Sequence, residues 1–212
     1  VAGVDLFADA VASEEELRSI YEDPKANARA KEISGVDELA REFIACSSMV
    51  FVASFGADGR CDATPRGGPP GFVSVLDSGD VVIPDATGNR RLDTFRNVVA
   101  TGRVGLVFII PGRGQTLRVN GRACVSVRAE LLAGLTAVGN PPRAALVVRP
   151  EEVFTHCPKA FVRSRVWQPE SWLDASAQPD PAVIAQAHIG DPGLTVEDVR
   201  QDQIDSLRYR LA

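Results

Sequence analysis

The stretch Ile83-Pro84-Asp85-Ala86-Thr87-Gly88-Asn89-Arg90-Arg91-Leu92-Asp93 carries the densest chemistry in the chain. A short loop follows a β-rich run, and Asn89 stands where a helix N-cap is expected. Free amides at a helix start, with the positive end of the helix dipole behind them, attract an anion. Arg90 and Arg91 add planar cationic forks that match phosphate oxygens, and their expected place is the first helical turn, where cations otherwise oppose the dipole. A phosphate group is one partner for this pair. Solvated arginines neutralised by Asp85 and Asp93 are the other, and the residues alone leave both open.

Three further stretches could complete a ligand site. Thr64-Pro65-Arg66-Gly67-Gly68-Pro69-Pro70-Gly71-Phe72 reads as a loop with little bulk apart from Arg66, so its backbone could approach a flat ligand; a plain connection between strands is the alternative. In Gly114-Gln115-Thr116-Leu117-Arg118-Val119-Asn120-Gly121, polar residues alternate as on one face of a strand. Gln115, Thr116 and Arg118 could donate to ring carbonyls or phosphate, or form a salt-bridged outer face. In the segment from His156 to Trp167, the spacing puts Lys159, Arg163 and Val166-Trp167 on roughly one helical face. His156 and Cys157 are adjacent, so on a strand they point apart and cannot share a metal; no metal site is expected. G-x-S-x-G, Walker and H-E-x-x-H patterns are absent from the sequence, which removes the support for hydrolase and nucleoside-triphosphatase readings.

The chain has 212 residues, 45% of them hydrophobic, enough for a full core. Its net charge of −5 disfavours broad contact with nucleic acid or an anionic membrane, so a local basic cluster asks for a specific anionic ligand. No apolar run approaches the ~20 residues that cross a bilayer. The first dozen residues carry Asp5 and Asp9 without a basic start and an apolar run, so a cytoplasmic protein is expected. Cys46, Cys61, Cys124 and Cys157 form no C-x-x-C pair, and free, mostly structural thiols are expected.

The elements that position these residues begin with helices. Ser13 and Glu16 form a capping box ahead of Leu17, Ile20 and Tyr21, and Asp23-Pro24 ends that helix. A second helix is expected near Asp37, with Leu39, Ala40, Phe43 and Ile44 on its buried stripe. The pattern then turns to strands: Met49–Phe55 with Cys61–Thr64, Phe72–Leu76 with Asp80–Ile83, Arg103–Ile110 with Thr116–Val127, and Ala144–Arg149. Helices are expected over Arg90–Ala100, Ala129–Val138 and Pro158–Trp167, with Gly102 ending the first. Beyond Trp172 the sequence reads as a loop-like tail, His188 included. Short strands joined by tight turns imply an antiparallel sheet closed into a barrel.

Taken together and in this order, Thr64–Val73, Ile83–Asp93, Pro111–Gly121 and His156–Trp167 resemble the pyridoxamine 5′-phosphate oxidase superfamily, in particular an FMN-dependent branch of it. The resemblance covers about residues 30 to 175. It implies a mainly β fold with α: an FMN-binding split β-barrel, antiparallel and of Greek-key type, with flanking helices. It also implies a homodimer with flavins at the subunit interface. Residues 1–45 would be a helical segment packing on the barrel, 46–175 the barrel with its helices, and 176–212 a C-terminal tail. Asn89, Arg90 and Arg91 would hold the FMN phosphate, while Pro84 and Asp85 would contact the cofactor beside them. Arg66 and Gly67 would lie along the isoalloxazine edge, and Gln115, Thr116 and Arg118 near the ring. Lys159, Arg163 and Trp167 would reach the flavin, Lys159 and Trp167 from the neighbouring subunit. The function implied is a flavin-dependent oxidoreductase acting on a small molecule, with no general base discernible. The closing Asp205–Ala212 does not match the segment with which the oxidase proper grips pyridoxal phosphate. An oxidase with a remodelled grip, a deazaflavin-dependent reductase and a non-catalytic flavin sensor therefore stay open beside it.

Overall fold

The computed structural model of the chain describes residues 5–8, 10–86 and 88–209. Asp9, Thr87 in the arginine loop, and residues 210–212 of the tail lie outside the described residues. The chain divides into two compact units, Val1–Glu32 and Ile33–Ala212.

In the first unit, helix α1 (Glu14–Ile20) starts at the expected cap: Ser13 Oγ accepts from Glu16 N at 3.1 Å, and the Glu16 carboxylate accepts from Ala12 N at 3.1 Å. Leu17, Ile20 and Tyr21 are exposed. A five-residue helix α2 (Ala26–Ala30) follows, with no side-chain cap that could have announced it.

The second unit opens with α3 (Glu38–Cys46), capped by Asp37, whose Oδ1 accepts from Ala40 N at 2.8 Å. Ala40 and Ile44 are buried as the periodicity predicts, but Leu39 faces solvent, a third of a turn off the stripe. Seven strands form one curled antiparallel half-barrel: β1 (Met49–Phe55), β2 (Cys61–Gly67), β3 (Ser74–Val75), β4 (Val81–Pro84), β5 (Arg103–Ile109), β6 (Thr116–Ser126) and β7 (Ala145–His156). Their order is β2-β1-β5-β6-β7-β4-β3, so the hairpins β1–β2 and β3–β4 lie at opposite edges of a β5–β6–β7 meander. With the flanking helices this is the split β-barrel. Alternate strand residues, among them Val50, Val52, Leu106, Phe108, Val119 and Val148, meet in one apolar core. Arg41 of α3 donates to the carbonyls of Val75 and Leu76 at 2.5 and 3.2 Å, and Arg149 on β7 holds Asp80, ahead of β4, through Nε and Nη2 at 3.0 and 3.1 Å. That hydrogen-bonded guanidinium keeps the Asp80 carboxyl below its usual range, against the opposing effect of burial.

The strands differ from expectation in two places. β2 continues through Thr64, Pro65, Arg66 and Gly67, which the sequence suggested as loop; it is an edge strand, where a proline without an N–H breaks no ladder bond. β7 runs past Pro150 to His156 because the register with β6 shifts at Asn120/Gly121. A side chain at Gly121 is impossible there: a Cβ would sit 2.1 Å from the carbonyl oxygen of Arg149. After α5 (Ala129–Ala133) and α6 (Lys159–Ser164), the tail is not loop-like. It forms α7 (Pro181–Ile189), with Asp180 as cap and proline at its first position, and α8 (Val196–Tyr209), and His188 lies on α7. All four cysteines are free and all are exposed, so none is a buried structural thiol.

Gly121→Ala is expected to destabilise the protein by about 3 kcal/mol or more, because backbone must move to admit the methyl group. Gly35→Ala, with nothing within 4 Å of the new Cβ, should stay within about 0.5 kcal/mol of wild type in the same urea titration.

Candidate functional site

Arg66 is the best-anchored of the expected ligand residues. On β2, Asp62, Thr64 and Arg66 alternate onto the inner face, opposite Ser54, Val52 and Val50 of β1. Helix α4 (Asp93–Thr101) packs across this end, with Asn97 Nδ2 donating to Ser54 Oγ at 3.0 Å. Its buried Thr94 hydroxyl donates to Asp62 Oδ2 at 2.9 Å and accepts from Arg66 Nη2 at 3.4 Å, while Arg66 Nη1 donates to Thr64 Oγ1 at 3.1 Å and to the Pro65 carbonyl at 3.2 Å. A relay from guanidinium to hydroxyl to carboxylate thus fixes one cation beside a helix start. Thr94 was not singled out from the sequence. Its signal is its place, three residues past the paired arginines.

The helix begins later than the sequence suggests. Asn89 is not its cap: Asn89 Oδ1 accepts from Arg91 N at 3.1 Å in a local turn, and Leu92 precedes the first helical residue without any side-chain cap. Arg90 and Leu92 both adopt left-handed backbone, at φ 61° and 60°. Two such residues in three break the helical progression, so Arg90 and Arg91 stand in the approach loop, not in the first turn. Arg91 Nε donates to Asp93 Oδ2 at 2.7 Å; that bond and the Asp93 charge, with a smaller contribution from Asp62, raise the guanidinium pKa above its ordinary value. Arg91 is thus paired with Asp93, whereas Arg66 is linked to Asp62 through Thr94. Pro84 ends β4 opposite Ala145, and Asp85 N donates to the Ala144 carbonyl at 2.9 Å, which pins the start of the same loop. Gly67 closes β2 opposite Met49.

The remaining expected residues form a second group. Arg118 pairs with Val107 and Phe154, and Val107 in turn with Phe51, which puts Arg118 on the outer face, opposite to Arg66. Its guanidinium lies 5.0 Å over the Phe154 ring. Thr116, two residues back on the same face, is buried, whereas Gln115 is exposed. Lys159 and Arg163 are one turn apart on α6 and exposed, but the helix ends at Ser164 and Trp167 lies beyond it. The Trp167 ring stacks on Phe161 at 5.8 Å, and its Nε1 donates to the Arg113 carbonyl at 3.0 Å. Trp167 therefore fastens α6 to the β5–β6 turn. A mostly apolar cavity of about 440 Å³ opens beside it, lined by Ala160, Phe161, Ser164, Val166, Ser171 and Trp172. Arg66 and Arg91 thus meet at the α4 start, with Asn89 and Arg90 in the loop that leads to it, whereas Thr116 and Arg118 lie on the opposite face of the sheet from Arg66, and Lys159, Arg163 and Trp167 lie on and just after α6.

A curled half-barrel with an arginine-rich loop feeding one helix defines a split-barrel protein. The chain belongs to the pyridoxamine 5′-phosphate oxidase family, whose model matches residues 36–157. No curated protein matches it in sequence. Among solved structures it is similar to HupZ of Group A Streptococcus (16% identity, 57% of this chain and 93% of that one, TM-score 0.44). A conserved hypothetical protein of Mycobacterium tuberculosis aligns at 14% identity over 68% of this chain and 96% of that one, TM-score 0.44. A pyridoxamine 5′-phosphate oxidase-related, FMN binding protein of Nostoc punctiforme aligns at 12% identity over 63% and 83%, TM-score 0.41. The family assignment rests on the match over 36–157. No described helix is long and apolar enough to cross a membrane.

Thr94→Val should lower stability by about 1.5–3 kcal/mol, since the buried hydroxyl bonds two charged groups at once. Thr94→Ser keeps the hydroxyl and should recover most of the loss in chemical unfolding followed by circular dichroism.

Proposed function

We propose that the chain is an FMN-binding oxidoreductase acting on a small molecule, as a homodimer in the cytoplasm. The observation that carries this reading is Arg66, held by Thr94 beside a helix start whose first amides have no side-chain acceptor, with Arg91 held by Asp93 at the same helix start. Two cations and a run of free amides suit a phosphate dianion. The residues present therefore fit FMN: Arg66, Arg91 and the uncapped amides at the start of α4 would hold its phosphate, and Asp85 just beyond β4 would meet the rest of the cofactor. Bound there, FMN would supply hydride chemistry. The chain's own part is to fix position and charge. Arg118 is the candidate to stabilise negative charge gained by the ring.

The arrangement of the two groups supports the dimer. Arg66 and Arg118 lie on opposite faces of one sheet, so a flavin touched by both would lie between two copies. Four free thiols suit a reducing compartment.

Arg91→Ala should weaken FMN binding by about one to two decades, the value of a charge-assisted contact of roughly 1.5–3 kcal/mol. Arg66→Ala should do at least as much. Riboflavin lacks the phosphate, so its weaker binding should hardly change with either substitution. Titrating both ligands by flavin fluorescence tests this: equal losses for the two, or no loss for either, would return the arginines to a solvated loop.

A further inference from the structure

The cavity beside α6 has apolar walls, and the helix on one side of it carries two cations without an ion pair among the described residues. Its volume of about 440 Å³ falls within the ~300–1,000 Å³ typical of small-molecule sites. Phe161 and Trp172 supply aromatic surface, and Ala160 and Val166 supply aliphatic surface. Phe161 is backed by the stacked ring of Trp167, whose indole is itself tied to the Arg113 carbonyl. That wall is therefore held before any ligand arrives, which lowers the ordering cost of binding.

Every side-chain donor in the lining is already used. Ser164 Oγ donates to the Phe161 carbonyl at 3.2 Å, Ser171 Oγ to the Arg165 and Gln168 carbonyls at 3.0 and 2.8 Å, and Trp172 Nε1 to the Val166 carbonyl at 3.0 Å. An acid group lodged against these walls would lose its water and gain no donor, so the body of a ligand there must be apolar. The edge of the cavity is different. On α6 the pair Lys159 and Arg163, one turn apart, runs beside the lining pair Ala160 and Ser164. Both cations are exposed, and neither meets a carboxylate among the described residues. Arg103, Arg122 and Arg149, by contrast, are held by Glu151 and Asp80. From His156 to Trp167 the sequence holds Lys159, Arg163 and Arg165 and no acidic residue, in a chain of net charge −5; Arg165 reaches Glu170 at 4.0 Å.

We infer that this cavity binds a small aromatic carboxylate, its rings against Phe161 and Trp172 and its acid group on Lys159 and Arg163. The aromatic walls select a flat apolar body, and the two unpaired cations select an anion at its end. The site uses none of the residues proposed above to hold FMN, so it stands or falls separately from that reading. A flavin reaching Lys159 and Arg163, as the family resemblance implies, is the rival occupant.

The test is isothermal titration of the full-length chain with 2-naphthoate and with two partial probes. 2-Naphthylmethanol keeps the rings and lacks the charge; acetate keeps only the acid. 2-Naphthoate should bind about tenfold or more tightly than the alcohol, the effect of a charge-assisted contact, and acetate should bind too weakly to detect. Lys159→Ala/Arg163→Ala should bring naphthoate down to the affinity of the alcohol and leave the alcohol unchanged, which a folding defect would not do. Ala160→Phe fills the cavity and should weaken both aromatic probes, with circular dichroism checking that each variant folds. No saturable binding of naphthoate, equal affinity for naphthoate and alcohol, or naphthoate binding that survives the double variant overturns the inference. Displacement of naphthoate by saturating FMN, or its loss with Arg91→Ala, would assign the two cations to the flavin. Loss of naphthoate binding as protein concentration rises would assign the cavity to a second copy; each of these results overturns the inference as well. Failure of FMN to bind, with naphthoate binding intact, would instead sink the flavin reading and leave this one standing.

Discussion

The close passage of β6 over β7 at Gly121 governs the rest of the barrel. With no side chain there, the carbonyl of Arg149 can approach the strand directly, and the register shifts by one residue beside Pro150. That shift divides β7 into two working halves. Residues 145–148 pair with β4 on one side and β6 on the other; beyond the bulge, the strand leaves β4 and is met instead by Ile33, bridged to Val153. The sheet can therefore curl at this line without losing the apolar contacts of Val148 and Val153 on either side of it. Arg149, at the hinge of the bulge, also carries the ion pair to Asp80, so the bend and the tether to the β3–β4 hairpin occupy the same residue.

Much of this architecture is written in local patterns. β1, β5 and β6 alternate cleanly because one face meets the core and the other does not. Ser13, Asp37 and Gly102 mark helix ends through chemistry that needs only neighbouring residues. What escapes a local reading depends on distant partners. Pro65 sits in a strand because that strand is an edge, and Pro150 does so because Gly121, about thirty residues earlier, gives way. The tail hides its helices for a related reason: α7 lacks the polar face by which a surface helix is recognised.

The candidate site shows the same division. Residue types announce a cationic loop, and Arg66 and Arg91 do come to share one end of α4. The left-handed turns at Arg90 and Leu92, which move both loop arginines ahead of the helix, have no signature in residues that rarely adopt them. Thr94 is equally quiet in sequence, yet it is the atom-level link between Arg66 and Asp62. Trp167, chosen as a flavin contact, spends its indole on Phe161 and the Arg113 carbonyl, so its first effect is to set the β5–β6 turn from which Gln115 and Thr116 start.

The placement of the two tryptophans has a spectroscopic consequence. Trp167 and Trp172 are the only tryptophans in the chain, and both lie just after α6, with indole nitrogens bonded to the carbonyls of Arg113 and Val166. The two tyrosines, Tyr21 and Tyr209, sit outside the barrel as well. Intrinsic emission is therefore a local gauge of the α6 region, while the β-barrel contributes only phenylalanines and is nearly silent. A fluorescence transition that precedes the loss of far-ultraviolet dichroism would report the loosening of that segment from a barrel still folded, and the two signals together would separate local release from global unfolding.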